Sequence, residues 1–127
     1  GRWNSPGAPV VYASGTRALA TLEVLAGLGT DSALPAYVLV PVDFANSMVT
    51  TLEAASLPKG WSRSPPGPTT QRLGDAWVAN GESVVLEVPS VLVPQESNFV
   101  LNPRHPHFSA VKIGDPEALS LDPRLLK

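Results

Sequence analysis

The stretch that decides the fold is Pro9-Val10-Val11-Tyr12-Ala13, followed by Ser14-Gly15-Thr16 and then Arg17 through Gly27. Its first part carries β-branched residues and a tyrosine at strand length, with Val10 and Tyr12 on one face and Val11 and Ala13 on the other. Ser14 or Thr16 is placed to cap the helix that follows, and Gly27 suits its C-terminal stop because it lacks a Cβ. At about 100° per residue from Leu19, Leu22 and Ala26 lie within roughly 60° and Glu23 within roughly 40°. A carboxylate therefore points toward the core or a cleft cut into it. Glutamate is rarely buried without a partner, so Glu23 either snorkels from the rim or does chemistry.

Working outward, Ala36 to Phe44 reads as a second strand, with Pro41 pointing to an edge position or a bulge. Met48 to Ala55 is ambiguous between a strand and a helical turn. Ser62-Arg63-Ser64-Pro65-Pro66-Gly67-Pro68 is an exposed, irregular loop between two halves of similar size. Thr69 or Thr70 then caps a second helix to about Asn80, and Asn80-Gly81 signals a turn. Ser83 to Val88, Val91 to Val93, Asn98 to Leu101 and Ser109 to Ile113 read as further short strands. Two helices and roughly six short strands in mixed order predict an α+β domain on a strongly bent or split mixed sheet.

Bulk properties narrow the function classes. A chain of 127 residues fits a single domain, here 1–127, with a core that needs no staples. Net charge is −2 and the nine Lys and Arg residues are scattered singly, which argues against nucleic acid as a partner. Cysteine is absent, so disulfides and thiolate metal sites are excluded and a reducing, cytoplasmic setting is expected. No apolar run approaches the length of a membrane span. Proline, at 14 residues, is about twice its usual share and punctuates loops throughout. The sequence opens without an initiator Met, and a missing N-terminal segment is expected from that.

Five fragments in order carry a resemblance: Gly1-Arg2-Trp3-Asn4, Val11-Tyr12-Ala13-Ser14, Ala18-Leu19-Ala20-Thr21-Leu22-Glu23, Val88-Pro89-Ser90, and Asn98-Phe99-Val100-Leu101-Asn102-Pro103-Arg104-His105-Pro106. Together they resemble the RES-domain toxins of bacterial toxin–antitoxin pairs, from Gly1 to about Phe108. Family members also carry a segment with another arginine ahead of the Gly-Arg-Trp motif, which this sequence lacks. The resemblance implies a fold similar to ADP-ribosyltransferases and cleavage of the nicotinamide–ribose bond of NAD⁺, with water, phosphate or a protein side chain as acceptor. It also implies a helical antitoxin partner with an Xre-like or ParS-like domain.

The residues supply matching chemistry. Breaking a nicotinamide glycoside develops positive charge on the ribose, and the dinucleotide carries a negative pyrophosphate. Arg2 offers a fork for phosphate, and Tyr12 a ring for nicotinamide. Glu23 can hold a ribose hydroxyl or stabilise the forming cation, and Ser90 can bond a ribose or amide group. Glu23, Ser90 and Arg2 are thus the candidate catalytic residues, and Arg2, Tyr12, Ser90 and Asn102 the candidate NAD⁺-binding residues. Each has a plainer alternative: an Arg–Trp cation–π pair, a core tyrosine, a turn serine. His105-x-His107 lacks a third ligand, so no metal is expected. No glycine-rich phosphate loop is present, which argues against a Rossmann dehydrogenase. Three functions follow: an NAD⁺-degrading toxin, an ADP-ribosyltransferase acting on a cellular protein, and a non-catalytic module that binds through the Pro-rich loop.

Overall fold

The computed structural model describes residues 1–28 and 36–126. The first strand, β1, spans Val11–Ser14 and leads into helix α1, Arg17–Gly27. The Thr16 hydroxyl accepts from the Leu19 backbone N–H at 3.1 Å, so Thr16 is the cap, and Gly27 is the last helical residue before extended Leu28. Buried on this helix is Leu19 alone; Leu22 is 43% exposed, against the expectation that it faces the core. The line from Leu19 to half-buried Glu23 is the inward edge of α1, and the rest of the apolar stripe faces solvent.

Ala36 to Phe44 is not one strand. It splits into β2, Tyr37–Leu39, and β3, Val42–Asp43, because Pro41 has no N–H to continue a ladder. Met48 to Ala55 resolves into β4, Val49–Thr51, flanked by single 3₁₀ turns. Helix α2, Pro68–Asn80, begins with proline at its first turn and Gly67 at the cap. Neither threonine caps it: Thr70 is buried, and its hydroxyl reaches back to the Gly67 carbonyl at 3.4 Å. Gly81 ends the helix in the left-handed region at φ 64°, where its N–H bonds Trp77 O.

Strand β5, Val85–Pro89, and strand β6, Ser97–Leu101, follow. Val91 to Val93 is a loop and not a strand, because the N–H groups of Leu92 and Val93 are taken by a serine hydroxyl. Beyond a 3₁₀ turn at Phe108–Ala110 come β7, Lys112–Ile113, and β8, Glu117–Leu119; the sequence reading had no strand at the latter position. The strands form a four-stranded mixed sheet in the order β1-β6-β5-β4, parallel only between β4 and β5, and two two-stranded pieces, β2-β8 and β3-β7. The expected α+β architecture with a split mixed sheet is what the chain adopts.

The register places Ser14 opposite Asn98 and Tyr12 opposite Val100, with Val88 and Leu86 next in line across β5. That face packs on Trp3 and Trp77, forming one core with Leu86, Val88 and Val100. The opposite face presents Val85 and Leu101 to Val84 and Val111, with Phe99, Phe44 and Phe108 around them. The sheet is therefore covered on both sides, and β5 is buried almost throughout. Gly74 lets α2 lie directly on the N-terminal segment: a Cβ there would sit 1.6 Å from the Trp3 carbonyl oxygen. No helix among the described residues is long and apolar enough to cross a membrane.

Candidate active site

Four separate pieces of chain meet at the end of the Trp3–Trp77 face. Helix α1 brings Glu23, the loop after β5 brings Ser90, β6 brings Asn98 and β1 brings Ser14. Ser90 is fully buried, and its hydroxyl donates to Glu23 Oε2 at 3.0 Å. The same oxygen accepts from Asn98 Nδ2 at 2.6 Å. Among the described residues no protein donor reaches Oε1, so one oxygen of the carboxylate is anchored and the other is left for a ligand.

The Ser90 proton has no alternative destination. Its oxygen accepts two backbone N–H groups, from Leu92 and Val93, both at 3.1 Å. A hydroxyl has two lone pairs and one proton, so filling both lone pairs commits the proton to Glu23. In this arrangement the Ser90 hydroxyl holds the Glu23 carboxylate from inside the protein.

Arg2 sits within electrostatic reach of this carboxylate. Partial burial pulls its guanidinium below the ordinary value, and the nearby charge of Glu23 offsets part of that. Its Nη1 donates to the carbonyls of Trp61 at 2.9 Å and Arg63 at 2.8 Å, which pins the start of the Pro-rich loop beside the site. Trp3 is buried in the core, so Arg2 and Trp3 do not form the surface pair that adjacency suggested. Tyr12 is 44% exposed, and its hydroxyl is fixed from behind: it donates to Asn4 Oδ1 and accepts from the Trp3 N–H at 3.2 Å. Burial of that hydroxyl raises its pKa, partly countered by the Trp3 N–H.

A cleft of about 770 Å³ runs along the free edge of β1. Tyr12, Ser14 and Arg17 line it on one side, Val38 and Asp43 on the other, with Glu117 near Arg17. The volume is that of a site for a sizeable small molecule. Glu23, Asn98, Ser90 and Arg2 do not line this cleft; Ser14 does, and it is linked to Glu23 through Asn98.

Asn102 is not part of this arrangement. It is buried at the end of β6, where its Oδ1 accepts from the Arg104 N–H at 3.1 Å and its carbonyl accepts from the His105 N–H. Asn102 builds the turn there. In the same turn His105 Nε2 donates to the Gly81 carbonyl at 2.8 Å, while its Nδ1 accepts the His107 N–H at 3.0 Å. Among the described residues no three His, Cys, Asp or Glu side chains group closely enough to hold a metal ion.

The RES domain family model matches residues 1–122. The chain belongs to the RES domain family. Over its whole length it is 34% identical to the "Prs ADP-ribosylating toxin" of Sphingobium sp. (strain YBL2), covering 81% of that protein. Similarity to the "Toxin Res" of Photorhabdus laumondii is 35%, over all of this chain and 82% of that one. A "Toxin Res" of Yersinia enterocolitica is 35% identical over 98% of this chain and 83% of its own length.

In this RES domain, two residues that the sequence did not single out complete the cluster: Asn98 and Ser14. Both lie inside fragments that carry the resemblance. The only signal available in advance was a polar residue at the end of one strand and another near the start of a second. Their meeting depends on a register between positions 84 residues apart.

Proposed function

We propose that this RES domain is a toxin that consumes NAD⁺ by breaking its nicotinamide–ribose bond, with water or inorganic phosphate as acceptor. The observation that carries the proposal is the Glu23 carboxylate, anchored through Oε2 by Ser90 and Asn98 and left open at Oε1. A carboxylate fixed in this way opposes the positive charge that builds on the ribose as the bond breaks, and needs no reorganisation at that moment. The C1′–N bond breaks with its electron pair going to the pyridinium ring, so nicotinamide leaves neutral. The acceptor oxygen forms the new C1′–O bond, and when water is the acceptor it gives up one proton.

The other residues take supporting roles. Tyr12, with its hydroxyl tethered and its ring at the cleft, offers a flat surface for nicotinamide. Arg2 keeps Nε and Nη2 for a diphosphate while Nη1 holds the loop. Ser90 acts through Glu23, and Asn102 through the turn it builds. The reading is tested by incubating the purified chain with NAD⁺ and measuring free nicotinamide, with and without phosphate. Release that scales with enzyme is expected, and none at any enzyme concentration would overturn this reading, leaving transfer to a protein or the non-catalytic module.

A second reading is ADP-ribosyl transfer onto a cellular protein. It is favoured by the printed name of the Sphingobium relative, which ties ADP-ribosylation to that protein. Labelled NAD⁺ added to cell extract separates the two: a discrete labelled protein band marks transfer, and loss of NAD⁺ without one marks degradation.

Either activity harms the cell that makes it, so we expect an antitoxin made alongside. A helical inhibitor that covers the cleft, or inserts an acidic segment toward Arg2, fits the charge of the site. Such a complex would bind NAD⁺ more weakly than the uncomplexed domain.

A further inference from the structure

We propose that Asn98 is the positioning residue of Glu23, and that Ser14 is the cleft-facing end of the same relay, where a ribose hydroxyl of the dinucleotide docks. The inference rests on the reading of Glu23 as the carboxylate that serves the ribose. It follows from the directions that the hydrogen bonds are forced to take. An ionised carboxylate only accepts, so the amino end of the Asn98 carboxamide must face Glu23 Oε2, 2.6 Å away. The oxygen end is then turned toward Ser14 Oγ at 2.7 Å, and because that oxygen only accepts, the Ser14 hydroxyl must donate. Among the described residues nothing donates to the Ser14 oxygen, so both its lone pairs are left over, and Ser14 lines the cleft. What fits there is a donor, and a sugar hydroxyl is one.

The backbone makes this relay rigid. Asn98 sits between two ladders, opposite Ser14 on β1 and opposite Val88 on fully packed β5, so its Cα is fixed from both sides. Helix α1, by contrast, buries only Leu19. The carboxylate of Glu23 thus takes its place from the sheet, through Asn98 and Ser90, more than from the packing of its own helix. Hydrogen bonds in series polarise one another, so a ribose hydroxyl donating to Ser14 strengthens the hold on Glu23. Binding of the sugar and alignment of the carboxylate become one event.

The test compares the wild-type chain with Asn98→Ala, Asn98→Asp and Ser14→Ala, measuring nicotinamide release, pH–rate profiles and thermal unfolding. Asn98→Ala should lower kcat by about 10²-fold with KM within a few-fold, as expected when a reacting group is misplaced by about 1 Å. Asn98→Asp keeps the shape but sets two carboxylates side by side, so the acidic limb of its pH–rate profile should move to higher pH. This isosteric variant carries the test if the alanine variant does not fold, and a fall in kcat with KM within a few-fold is the split that a merely structural role would not produce. Ser14→Ala should raise KM and erase discrimination against an NAD⁺ analogue lacking the hydroxyls of the nicotinamide ribose. Folded Asn98 variants with unchanged kcat and pH profile, beside an active wild type, would overturn this proposal alone. A wild type that releases no nicotinamide would overturn the functional reading, and this proposal with it.

Discussion

The two helices of this RES domain are held in opposite ways. Helix α2 is fixed by burial: Thr70, Gly74 and Trp77 are covered, Trp77 joins the core beside Trp3, and its indole N–H donates to the Ser83 hydroxyl at 2.8 Å. Helix α1 buries Leu19 alone and is tied to the sheet through the polar contacts of Glu23. A buried helix face contributes stability and tolerates little change in shape. A helix held by a carboxylate contributes modestly to stability but places a charge with accuracy. The difference teaches that the helix carrying the candidate carboxylate is the lightly packed one, and that the placement of that carboxylate comes from partners on β6 and the loop after β5.

This contrast can be broken from either side. The largest effect is expected at α2: Trp77→Ala should cost about 3–5 kcal/mol of stability, through lost burial and the cavity it leaves, measured by denaturant unfolding. Glu23→Gln should do the reverse, leaving the unfolding midpoint nearly unchanged while nicotinamide release falls on the order of 10²–10³-fold. Wild-type turnover in that variant would sink the assignment of the site.

Arg2→Ala comes next. Diphosphate contacts exist in ground state and transition state alike, so KM should rise by the equivalent of about 2 kcal/mol with a smaller change in kcat. Because Arg2 also bonds the carbonyls of Trp61 and Arg63, limited proteolysis should cut the Pro-rich loop faster in this variant. Thr16→Ala removes the cap of α1 and should cost about 1 kcal/mol, with a loss of helicity confined to that helix.

The smallest effect concerns Asp75 on α2, whose carboxylate accepts from both the hydroxyl and the N–H of Ser5. Those bonds hold its pKa below the ordinary carboxylate value. The folded state therefore binds the Asp75 proton less readily than the unfolded chain. Its stabilising contribution is present above the unfolded value of about 3.9 and is lost as pH falls through the lower folded one. Asp75→Asn should flatten the acid end of the stability curve, and unchanged acid sensitivity would show that the Ser5 contact adds nothing in solution.

Local chemistry made much of this legible. The strand at Val11, the Thr16 cap and the left-handed Gly81 all follow from residue types that admit few conformations. Glu23 stood out because a carboxylate on the inward edge of a helix demands a partner. Other features were lost to contacts distant in sequence. The residues Val91 to Val93 have strand composition, but the Ser90 hydroxyl takes the N–H groups that a ladder would need. Thr69 and Thr70 look like caps, yet packing buries Thr70 and leaves the helix start to Gly67 and Pro68.

The sequence by itself determined the α+β class and the family likeness, and it pointed to Glu23 as a carboxylate in need of a partner, because patterning and propensity act over a few residues. Tertiary structure alone decided what each polar group is for. Ser90 bonds Glu23, Asn102 holds a turn, and Asn98 bridges Glu23 and Ser14. A hydrogen-bonding side chain carries donors and acceptors but no address. Its partner is chosen by strand register and loop closure, and those are settled only when β1, β6 and α1 come together.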